Sequence, residues 1–276
     1  MTLSERNVFF RAAIAFSTIS AISALAVSYL VVPFYKTTVG NIRRPGEFAQ
    51  FFLGRLFETD YFAVHASLVT LVVFSLAALF LILSFFEQTS TPEILYISLF
   101  IFSFSFETIR LVLPLHLIYT IPSFYILILL RVLLFARYFG IFSIAAAGLC
   151  AAGLEVQMNR SLILILIAAA IAIVTGVPID TQSWDTSLNI IYGFRSIFRV
   201  IEAAAFLTAI ISFFIASNVR GSVEYVYIGI GIMFAFIGRY FLLYFDNWAG
   251  PVPGIIMLSF GTWSACSKLH RIYLWM

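Results

Sequence analysis

Residues 122–152 read PSFYILILLRVLLFARYFGIFSIAAAGLCAA, a block of 31 residues with two bases, Arg131 and Arg137, and no acid. Spanning bilayer hydrocarbon takes about 20 apolar residues, and a chain immersed in lipid must satisfy its backbone groups internally, so such a block is expected to be a helix. At 1.5 Å per residue it would be about 46 Å long, enough to tilt, to project from the bilayer, or to break near Gly140. A break into two spans would leave almost no loop around Arg137. One long helix is therefore expected here.

Outward from this block the same texture repeats. Apolar stretches at roughly 9–33, 61–86, 94–114, 122–152, 161–178, 189–217, 222–246 and 251–270 predict an all-α fold, a polytopic transmembrane helix bundle of eight spans in a single membrane domain over 1–276. Seven spans is the alternative, because the last stretch is only briefly apolar before Lys268, His270 and Arg271. Proline lacks an amide donor and belongs at helix ends, and all eight prolines fall in an expected loop or at an expected boundary. The first block follows Arg6 and Arg11 and contains Ala24-Leu25-Ala26, which imitates a signal-peptide cleavage site. Its 22 residues from Ala12 to Pro33 exceed the roughly 7–15 of a signal h-region, so it reads as a retained span.

The composition agrees. Of 276 residues, 62% are hydrophobic and 11% charged, with a mean hydropathy of +1.05, against about 45–50% apolar and about 25% charged for a soluble domain. A soluble globular or disordered chain is excluded. A formal charge of +3 without a basic run gives no grip on a phosphate backbone, so no nucleic-acid partner is expected. Cys150 and Cys266 both lie in apolar blocks and build neither a disulfide framework nor a CxxC site.

The one sizeable connection, 34–60, carries Lys36, Arg43, Arg44 and Arg55. Phe48, Phe51, Phe52, Leu56 and Phe57 recur at spacings of three to five, as on an amphipathic interfacial helix, although they could equally extend the second span.

The informative charges are those inside the spans. Six are arginines, Arg110, Arg131, Arg137, Arg195, Arg199 and Arg239, and two are acids, Glu107 and Glu202. An ionisable group at bilayer depth costs at least about 2.5–3.5 kcal/mol on insertion scales, so it usually faces the bundle interior or a cavity and is paired. Alternate spans run in opposite directions, which places most of these residues towards one face. It is the face of the long first loop, the Trp184 loop with Asp180 and Asp185, and the Asp246-Asn247-Trp248 turn; Arg137 lies nearer mid-depth. Glu107 and Arg110 are three apart, Arg195 and Arg199 four, Arg199 and Glu202 three, so each set shares one side of its helix. With both acids used, four positive charges stay unpaired.

Two readings of these arginines stand side by side. They snorkel to headgroups or carbonyls with Glu107 and Glu202 as structural partners, or they line a cavity whose guanidinium forks hold an anion. On the second reading the ligand-binding residues are Arg110, Arg195, Arg199, Arg239 and Arg131, with Glu107 and Glu202 orienting the guanidinium groups. A voltage sensor is disfavoured because only Arg195 and Arg199 repeat along one helix.

Other chemistries find no support in the residues. Lys36 and Lys268 are the only lysines, so no retinal Schiff base deep in a late helix is expected. His65, His116 and His270 are isolated, without HExxH or a His/Cys cluster, and no metal or cofactor is expected. Neither GxSxG nor a P-loop occurs. Gly229, Gly231 and Gly238 read as a close-packing helix face, as does the small-residue stretch from Ala145 to Gly153. Basic residues near the loops conflict as a guide to orientation, six on the N-terminal face against four in the first loop.

These readings lead to an expectation of a non-enzymatic, multi-pass protein of the cell membrane. It would be a receptor or sensor binding an anionic small molecule or lipid headgroup, with the lipid bilayer and a separate signalling protein as partners. A transporter or channel for a small anion or acidic metabolite is the second possibility, and a membrane enzyme acting on a lipid or glycan the third.

Overall fold

The fold is described from a computed structural model, over residues 3–38, 56–86, 91–119, 121–153 and 159–274. The described chain is nearly all helical. Helix α1 covers Leu3–Thr38, α2 Tyr61–Phe86 and α3 Pro92–Ser103; a 3-10 turn over Phe104–Glu107 then leads into α4, Thr108–Tyr119. There follow α5 (Ser123–Ala151), α6 (Asn159–Gly176), a two-stranded antiparallel hairpin of β1 (Ile179–Trp184) and β2 (Ile190–Tyr192), α7 (Arg195–Arg220), α8 (Glu224–Tyr244) and α9 (Pro251–Leu274). The block that opened the sequence reading is one unbroken helix, α5, and it packs on α3, α6 and α7 at the centre of the molecule.

Contacts between chain ends show how the passes alternate. At one end Glu5 pairs with Arg160 at 2.9 Å, Arg6 donates to the Phe86 carbonyl, Arg220 to the Cys150 carbonyl and Tyr273 to Glu93, while Glu224 pairs with Lys268 at 2.8 Å. At the other end the Asp60 amide donates to the Asp246 carbonyl, the Trp248 indole to Asp60 and the Thr186 hydroxyl to Asp246. With α3, the turn and α4 counted as one rod, the described residues form eight helical rods of alternating direction. Six contain stretches long and apolar enough to cross a membrane: Ser4–Val31, Tyr61–Phe86, Pro92–Leu115, Ser123–Ala151, Arg195–Arg220 and Glu224–Tyr244. Helix α6 is apolar but shorter, and α9 is not among the six.

The structure corrects several details. The expected span 189–217 begins instead at Arg195, because Ile190–Tyr192 pairs with Ile179–Trp184 as a strand. Two prolines lie inside helices rather than at their boundaries: Pro114 within α4 and Pro33 within α1. Neighbouring helices in a bundle can compensate a lost amide donor, so proline is a weaker stop signal here than in a soluble helix. Most of the expected interfacial segment of 34–60 lies outside the described residues.

The 3-10 turn has a local cause in the sequence Phe102–Thr108, FSFSFET. Ser103 and Thr108 turn their hydroxyls back onto the carbonyls of Phe100 (2.6 Å) and Ser105 (3.0 Å), and Ser75 of α2 takes the Ile101 carbonyl at 2.8 Å. Hydroxyls that compete for helix carbonyls bend or tighten the helix locally. Ser105 is held by Ser17 of α1 at 2.6 Å and Ser75 at 2.9 Å, so a buried polar seam fixes the turn between three helices. Glu107 is its last residue.

Candidate functional site

Glu107 is the centre of a buried ionic network. Arg137, reaching from α5, donates to it through two nitrogens, Nε to Oε1 at 2.6 Å and Nη2 to Oε2 at 2.7 Å, the bidentate geometry that makes guanidinium–carboxylate pairs strong. Arg110, 0% exposed, places Nη1 3.4 Å from Glu107 Oε2. Its other nitrogens donate to backbone: Nε to the Leu188 carbonyl at 3.2 Å, Nη2 to the Leu243 carbonyl at 3.0 Å and to the carbonyl of Ser187. Asn189 completes the arrangement. It accepts from Arg137 at 3.1 Å and donates to the Leu243 carbonyl and the Ser187 hydroxyl, both at 2.9 Å.

One carboxylate and two guanidinium groups thus tie the 3-10 turn, α5, α8 and the hairpin loop together. Leu188 in that loop adopts φ of +56°, a left-handed conformation unfavourable for a leucine, and its carbonyl is one of those Arg110 holds. The Leu188 side chain is itself fully buried, so packing and the arginine both hold the strained loop.

Arg239 of α8 is different. It is 3% exposed, yet among the described residues it has no hydrogen-bond or ion-pair partner, and its guanidinium lies 5.7 Å from the Phe236 ring centroid. It is close enough to act electrostatically on Glu107 and on the Tyr244 hydroxyl. The same locus collects phenols. Tyr138 Oη is buried without a partner at hydrogen-bond geometry, and the Tyr192 and Tyr244 hydroxyls and the Glu202 carboxylate lie within electrostatic reach of it. Phe198 packs against both Tyr138 and Tyr192, at 5.8 and 5.5 Å between ring centroids. Counting Arg110, Arg137 and Arg239 against Glu107 and Glu202 leaves one positive charge in excess.

The residues singled out in the sequence therefore separate into three groups. Glu107, Arg110, Arg239 and the half-buried Glu202 converge on this interior region. Arg195, first residue of α7, is half-buried and props the hairpin: it donates to the Ile190 carbonyl at 3.3 Å and lies over the Tyr192 ring at 5.9 Å. Arg199 and Arg131 are exposed on the outer faces of α7 and α5, away from the interior network. Arg137, outside the expected site, pairs with Glu107 across 30 residues of sequence. Asn189 and the three tyrosines carried no sequence signal of their own. Asn189 opens an apolar run and reads there as a helix start.

No protein-family model matches this chain, and neither a curated protein nor a solved structure resembles it.

Proposed function

We propose that the protein is a multi-pass protein of the cell membrane, crossing it eight times, that binds a small monoanionic group beside Arg239 in the manner of a receptor or sensor. The observation that carries this reading is Arg239, a residue only 3% exposed whose guanidinium has no hydrogen-bond or ion-pair partner among the described residues. An unpaired charge in a low-dielectric interior is costly, so such a group is kept for a ligand or a function rather than for stability. Arg110 and Arg137 have their acceptors within the protein. Arg239, with one net positive charge in the surrounding network, is the group left to hold a carboxylate or singly charged phosphate ester.

Thermal unfolding of the detergent-solubilised protein, in the presence of a panel of small carboxylates and phosphate esters, tests the reading. A ligand at about one hundred times its Kd should add about 2.7 kcal/mol to the wild type and nothing to Arg239→Met. Without ligand, Arg239→Met should unfold at a higher temperature than wild type, since it removes an uncompensated charge and keeps the volume. A lower Tm for ligand-free Arg239→Met, or a ligand shift that survives the substitution, sinks the proposal.

A second reading, transport of the same anion, is favoured by the 3-10 interruption of the third pass at the network. Transporter sites are often built where a helix is interrupted near mid-membrane. Flux into proteoliposomes separates the two, because a receptor gives none.

A further inference from the structure

A groove of about 470 Å³ runs between α2 and α9 on the outside of the bundle, away from Arg239. Its walls include Phe74, Leu81 and Phe85 from α2 and Trp263 and Cys266 from α9, with Ile101 among its lining. It opens sideways: Leu81, Phe85 and Trp263 are more than half exposed, Trp263 at 69%. The polar side chains along it do not make it polar, because Thr262 and Ser267 turn their hydroxyls onto carbonyls of their own helix, at Leu258 and Ser264.

Three observations say what fills it. The groove follows α9 from Ser259 to His270, about 16 Å at 1.5 Å per residue, and one leaflet of hydrocarbon is about 15 Å deep, half of the bilayer core. Its His270 end lies at the face that carries Arg6, Arg220, Lys268 and Arg271. Arg6 donates to the carbonyl of Phe86, a lining residue, and Arg271 stands one helical turn beyond the lining residue Ser267. Lys268 and Arg271 share one acid, Glu224, at 2.8 and 3.4 Å, which among the described residues leaves one of the two cations without an acid of its own. Finally, His270 Nδ1 is buried at that end without a hydrogen-bond partner, its ring edge-on to Phe86 at 5.3 Å.

We infer that this groove holds one acyl chain of an anionic bilayer lipid, with the acidic headgroup at Arg271 and the ester region at His270. The length selects a single chain crossing one leaflet, and the charge selects the headgroup. The inference is independent of the Arg239 site and rests only on α2 and α9 lying in lipid.

Trp263 reports on the groove directly. The full chain is reconstituted in vesicles containing lipids with brominated acyl chains, either anionic phosphatidylglycerol or zwitterionic phosphatidylcholine. The Trp263 signal is the difference between the wild type and Trp263→Phe. Quenching titrations should show about a five-fold preference for the anionic lipid, the size expected of one uncompensated cation at a membrane surface. Arg271→Gln should reduce the preference to twofold or less. Ala77→Phe, which fills the groove from an exposed position on α2, should at least halve quenching by the anionic lipid. Equal quenching by both lipids means ordinary annular lipid and overturns the inference. Absence of quenching by either, as when another helix covers the groove, overturns it together with the placement of these helices in lipid.

Discussion

At the scale of single residues, Glu107 bears more structural weight than any other charge in the interior. It balances two arginines on different helices, and replacing it leaves both guanidinium groups buried without an anion. Removing one partner of a buried pair typically costs about 3–5 kcal/mol. Glu107→Gln should therefore lower the Tm of the purified protein sharply, whereas Arg131→Gln, at an exposed position on α5, should leave it unchanged. If the two variants unfold alike, the network is not what holds the hairpin loop on the bundle. The i,i+3 spacing of Glu107 and Arg110 is legible in the sequence, as is the excess of arginine over acid. The preference of Glu107 for Arg137 is not, because it depends on how α5 is rotated against the third pass. For the same reason Arg131 and Arg137, six apart on one helix, look equivalent in the sequence and end in opposite environments.

At the scale of elements, the contact between α8 and α9 is the most extensive between any two helices of the bundle and depends on small residues. A Cβ placed on Gly231 would lie 2.8 Å from the Gly261 carbonyl oxygen and 3.0 Å from the Ala265 nitrogen, so both backbones are at contact there. Backbone cannot yield as a flexible side chain can. Gly231→Val is expected to cost about 1–3 kcal/mol as overpacking, while Gly176→Ala, with nothing within 4 Å of its added Cβ, should be neutral or slightly stabilising. Comparable unfolding of the two variants would refute close packing at Gly231. The glycine spacing on α8 already suggests this face. The hairpin is less visible: Ile190-Ile191-Tyr192 runs straight into the apolar sequence of α7, and a short apolar run does not distinguish a strand from a helix segment. Its strand character comes from pairing with Ile179–Trp184, with Arg195 holding the Ile190 carbonyl and Arg110 the loop carbonyls of Ser187 and Leu188.

At the scale of the molecule, eight helical rods of alternating direction put both ends of the described chain at the same end of the bundle, and the proposed eight crossings would put them on one side of the membrane. In sealed vesicles, a membrane-impermeant maleimide should label Ser4→Cys and Arg271→Cys from the same side and Ser123→Cys from the other. Labelling of Ser4→Cys and Arg271→Cys from opposite sides would mean an odd number of crossings and remove the eight-span topology. Apolar block length and scarce charge were enough to establish the helical class, the long helix α5 and the rough position of the six helices long and apolar enough to cross a membrane, because the solvent in which a segment folds is written in its composition. Whether a buried arginine is paired could not be read the same way. Arg110, Arg137 and Arg239 are chemically identical, and each lies within an apolar block. Contacts across 30 and 133 residues give Arg137 the Glu107 carboxylate and Arg110 the Leu243 carbonyl, while Arg239 has no ion-pair partner among the described residues. Helix rotation and packing, which no local pattern encodes, make that difference.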